Sequence, residues 1–80
     1  MTRSPNEVRD LLRRYGAVLA QQLRLEDVKL CSKRFRTNHR IAADDPIIPA
    51  MGRIFEAHRA RVEGLGSPDA CDAAVKAEAA

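Results

Sequence analysis

The chain has 80 residues, which bounds it to a single domain, residues 1–80, with a modest core. A net charge of +3 permits nucleic-acid binding without implying it. No apolar run approaches the ~18 residues that cross a bilayer, MTRSPNEVRD lacks the apolar centre of a signal peptide, and the two cysteines, Cys31 and Cys71, are too few for a secreted disulfide framework. These features point to a cytoplasmic protein with reduced thiols and no membrane partner.

Helix signals begin at Ser4-Pro5-Asn6-Glu7, where Ser4 can cap, Pro5 suits the first helical position and Glu7 completes a capping box. Val8, Leu11, Leu12, Tyr15, Val18, Leu19 and Leu23 then recur at three- and four-residue steps, forming one wide apolar stripe. Gly16 lies inside this run. It weakens the helix by roughly 1 kcal/mol relative to Ala and marks either a kink or a close helix contact.

The phase changes near Leu25. At about 100° per residue, Val28, Cys31 and Phe35 fall nearly opposite the earlier stripe. Either the helix breaks within residues 24–27, or it continues and offers a second face to another body. Lys29, Lys33, Arg34, Arg36 and Arg40 follow with no acid between Asp27 and Asp44, the strongest charge asymmetry in the chain.

Residues 36–45 read as a loop, with Asp45 as a cap and Pro46 at the first position of the next helix. Ile48, Met51, Phe55, His58, Val62 and Leu65 then mark a heptad-like seam ended by Gly64 and Gly66. Ser67-Pro68-Asp69 opens a third, short helix over residues 67–80 with little to bury, and its end is expected to fray. The fold class is therefore all-α: an antiparallel helical hairpin with a short C-terminal helix. Each apolar stripe of a lone hairpin stays half covered, which favours a homodimeric four-helix bundle. A compact three- or four-helix monomer, folded back at residues 24–27, is the alternative.

Residues 20–36 also fit the apolar offsets of a helix-turn-helix: Ala20, Leu23, Leu25 and Leu30, with Leu19 ahead of them. On that reading Lys29, Lys33, Arg34, Arg36 and Arg40 meet nucleic acid. Arg24 stands where such turns often need a positive φ, at a cost of order 1 kcal/mol. The bland reading is a helix break followed by a basic solvated segment. Cys31, His39, His58 and Cys71 lack the close pairs of a structural zinc site, so no metal or other cofactor is expected. The chain has no nucleophile–base signature and no phosphate loop, and Asp44-Asp45 suits a cap better than a catalytic pair, so no enzymatic activity is expected.

The function expected from the sequence is protein binding by a small regulator or inhibitor of a larger cellular machine, in the style of phage host-takeover or anti-CRISPR proteins. That comparison rests on size and style alone. The expected partner surface is Val28, Cys31 and Phe35 with Lys33, Arg34 and Arg36 around them, and Phe35 is the expected anchor. The alternative is a helix-turn-helix transcription regulator that reads duplex DNA with residues 20–36.

Overall fold

The computed structural model describes residues 3–80, and all regular structure among them is helical. Helix α1 spans Pro5–Ala20, α2 Leu25–Asn38, α3 Ile48–Val62 and α4 Pro68–Glu78. The start of α1 follows the sequence signal: the Ser4 hydroxyl accepts from the Glu7 amide and Pro5 stands in the first turn. Ser67 caps α4 in the same way, accepting from Ala70.

The phase change near Leu25 is a chain reversal. α1 ends at Ala20, and residues 21–24 turn the chain so that α2 packs back on α1 and α3. Arg24 sits at φ −123°, ordinary extended backbone, so the turn carries none of the left-handed strain expected of it. Arg61 of α3 holds the turn from outside. Its guanidinium donates to the Leu19 and Gln22 carbonyls at 3.2 and 2.9 Å, tying the end of α1 and the turn to α3.

The core joins Leu12, Tyr15 and Leu19 of α1 to Val28 and Phe35 of α2 and to Met51 and Ile54 of α3, with Ile41, Ile47 and Ala79. α1 meets α2, α3 and α4, which bury Leu12, Tyr15 and Leu19 and leave Val8, Leu11 and Val18 half-buried. The hairpin plus one short helix is thus replaced by four helices that pack together within one chain.

Other boundaries also moved. α2 continues through Asn38, so only part of residues 36–45 is loop. Asp45 caps the turn before α3 rather than the helix: its carboxylate accepts from the Ile47 amide at 3.0 Å, and α3 begins at Ile48. The inner seam of α3 is Met51, Ile54 and His58, while Phe55 is half-buried and Leu65 lies exposed beyond the helix. The last turn of α4 is anchored: Ala79 is buried in the core and Glu78 pairs with Arg53.

Two expected roles are corrected here. Val28 is 0% exposed and Phe35 7%, so neither offers a surface to a partner. Phe35 instead packs between Tyr15 and His39, with ring centroids 5.2 and 4.2 Å away. The helix-turn-helix register is overturned as well. Leu23 is 81% exposed, Leu30 45%, and Ala20 is exposed, whereas those positions should close the interface between the two helices. The real α1–α2 contact uses Tyr15, Leu19, Val28 and Phe35, together with a 2.6 Å hydrogen bond between the Tyr15 and Ser32 hydroxyls.

Candidate functional site: the cationic face of α2 and its groove

Helical spacing sorts the basic residues of α2. At about 100° per residue, Lys29, Lys33 and Arg36 share one flank of the helix and Arg34 falls on the other. All four are exposed, as is Arg40 beyond the helix end. Elsewhere Arg3 pairs with Asp45, Arg14 with Asp10, Arg53 with Glu78 and Arg59 with both Glu56 and Glu63, while Arg9, Arg13, Arg24, Arg61 and Lys76 form no ion pair among the described residues. Among the described residues none of Lys29, Lys33, Arg34, Arg36 and Arg40 takes part in an ion pair. Glu26 and Asp27 lie in the first turn of α2, where they suit the helix dipole.

The flank carrying Lys29 and Arg36 borders α3. Between the two helices runs an open groove of about 260 Å³. Lys29 and Arg36 stand on one side, two helical turns or about 10 Å apart. Ile48, Met51, Gly52 and Phe55 form the α3 wall, and Tyr15 and Ser32 the floor. The floor hydroxyls bond to each other, and burial pushes the Tyr15 phenol up, so it stays protonated at neutral pH. Ile48 and Phe55 are only half-buried, leaving apolar surface beside two unmatched charges.

Of the residues expected at a partner surface, Lys33, Arg34 and Arg36 are exposed and Cys31 is half-buried. Burial pushes the Cys31 thiol up, away from the reactive thiolate range. Both cysteines are free. Among the described residues no cluster of three or more potential metal ligands is present, and no helix is long and apolar enough to cross a membrane.

Sequence reasoning missed the α3 side of the groove. Phe55 carried a signal, its place in the apolar seam, but that signal reads as core. Gly52 carried none. No known protein family, curated protein or solved structure matches the chain.

Proposed function

We propose that this chain is a protein-binding regulator or inhibitor of a larger cellular assembly, and that it engages an acidic protein surface through the cationic face of α2. The observation that carries the reading is the clustering of charge: Lys29, Lys33, Arg34, Arg36 and Arg40 lie in one segment with no acid between Asp27 and Asp44, and none of them forms an ion pair among the described residues. Half-buried Ile48 and Phe55 beside those charges favour a protein over a phosphate backbone, because an interface needs apolar contact as well as charge. The reading needs no homodimer, since α2, α3 and α4 all pack on α1 within the chain. Two free thiols suit the cytoplasm.

The test is an isotope-labelled titration of the full chain, read by NMR, with two probes: an acidic Glu/Leu helical peptide and mixed-sequence duplex DNA. The peptide is expected to shift the amides of residues 29–36 at both low and physiological salt. DNA tight at low salt with a steep salt slope, together with no response to the peptide, would replace the proposal with nucleic-acid binding.

A further inference from the structure

We infer that the α2–α3 groove seats one large apolar side chain of an acidic partner segment, with carboxylates to either side held by Lys29 and Arg36. This inference rests on the protein-binding reading above and names where the partner sits and what chemistry it brings.

Gly52 is the first support. A glycine inside a helix is destabilising relative to alanine, so it needs a reason. At Gly16 the reason is internal: an added Cβ would lie 2.4 Å from a methyl of Val75. At Gly52 a Cβ would meet nothing within 4 Å, and its φ lies outside the left-handed region. The fold therefore does not require Gly52. It lies on the wall of the groove, where the missing side chain keeps the space beside Phe55 open and lets another body approach the α3 backbone.

Size and charge define the occupant. Pockets for free small molecules run from about 300 to 1,000 Å³ and enclose most of the ligand. This groove is about 260 Å³ and open, which suits a side chain presented by a larger body. Lys29 and Arg36 are two helical turns apart on its edge, so carboxylates one turn before and one turn after an apolar residue on a partner helix reach both. Docking an amphipathic helix into a groove is a common recognition mode. A nucleic acid would use the two cations but leave the half-buried Ile48 and Phe55 without a counterpart.

The test uses the full chain and a labelled short helical peptide with Phe at its centre and Glu one turn to either side, read by fluorescence anisotropy. Lys29→Glu and Arg36→Glu are each expected to weaken binding at least about tenfold, and Arg34→Glu, on the other flank, to change it less than about twofold. Gly52→Trp, which fills the groove from an exposed position, is expected to abolish binding with helicity unchanged. Gly52→Ala, which tests the backbone alone, is expected to raise the thermal midpoint by roughly 4–8 °C. If Gly52→Trp binds like wild type while the charge reversals abolish binding, the groove assignment is wrong and the acidic-partner reading stands. If wild type does not bind the peptide, both fall, whether or not it binds DNA. If the free chain sediments as a dimer that Gly52→Trp converts to monomer, the occupant is a second copy and the inference is overturned.

Discussion

Arg40 and Gly64 hold equivalent positions at the ends of α2 and α3. After α2, the Arg40 amide donates to the Thr37 carbonyl and the Ile41 amide to that of Arg36. After α3, Gly64 donates to Arg61 and Leu65 to Ala60. Both are Schellman endings, and both put the pivotal residue in the left-handed region, at φ 54° for Arg40 and 79° for Gly64. Glycine occupies that region freely, but an L-residue with a Cβ is strained there by about 1–2 kcal/mol. Arg40→Gly is therefore expected to stabilise the chain by about 1 kcal/mol, part of the relieved strain being offset by the added freedom of the unfolded state. Urea unfolding measures this; a loss of stability would mean that the Arg40 side chain contributes more than its backbone costs. Gly64 was readable as a helix stop because glycine is the common residue there. Arg40 was not, because nothing in an arginine announces a positive φ.

Between elements, Gly16 of α1 packs against Val75 of α4, where an added Cβ would lie 2.4 Å from a Val75 methyl. The contact atom belongs to a short, β-branched side chain that cannot swing aside. Gly16→Ala should therefore push the helices apart and destabilise the protein by about 1–3 kcal/mol. Adding Val75→Ala should recover part of that loss, because it removes the opposing methyls; a double-mutant cycle in thermal unfolding reads the coupling. The sequence already offered a close helix contact as one reason for Gly16, and the start of α1 was equally plain, because Ser4, Pro5 and the apolar stripe all act within a few residues. α2 was harder. The reversal near residues 24–27 showed as a phase change, yet the face bearing Val28 and Phe35 looked like surplus surface. It is surplus only on a straight helix; once residues 21–24 turn the chain, the same face closes on α1 and α3. The candidate site divides the same way. Its cations cluster in sequence and were visible at once. Its groove joins Lys29 to Phe55 across two helices, and no local pattern records that juxtaposition.

At the scale of the whole molecule, His58 is the buried side chain whose polar atoms lack partners among the described residues. It is 1% exposed, and neither ring nitrogen has a hydrogen-bond partner among the described residues. Burial, followed by the nearby charge of Arg61, holds its pKa below the ordinary value, while Asp72 pulls weakly the other way. The folded protein therefore keeps the imidazole neutral, whereas the unfolded chain protonates it near pH 6.5. Below that pH the unfolded state binds more protons, so stability is full above about 6.5 and declines as pH falls toward and through the lower folded value. Asp45 and Glu78 also have depressed pKa values, through their arginine partners first, but their contributions are lost only in the more acidic carboxylate range. His58→Met, close in volume and free of polar nitrogens, isolates the histidine. It is expected to raise stability at neutral pH by about 1–3 kcal/mol, because two unsatisfied buried groups are removed, and to flatten the stability curve between pH 7 and 5 while leaving the carboxylate decline intact. Urea midpoints across that range decide the matter. Parallel curves for wild type and variant would show that protonating His58 costs the fold nothing. A drop in stability at neutral pH would show that the imidazole forms a contact worth more than its burial penalty.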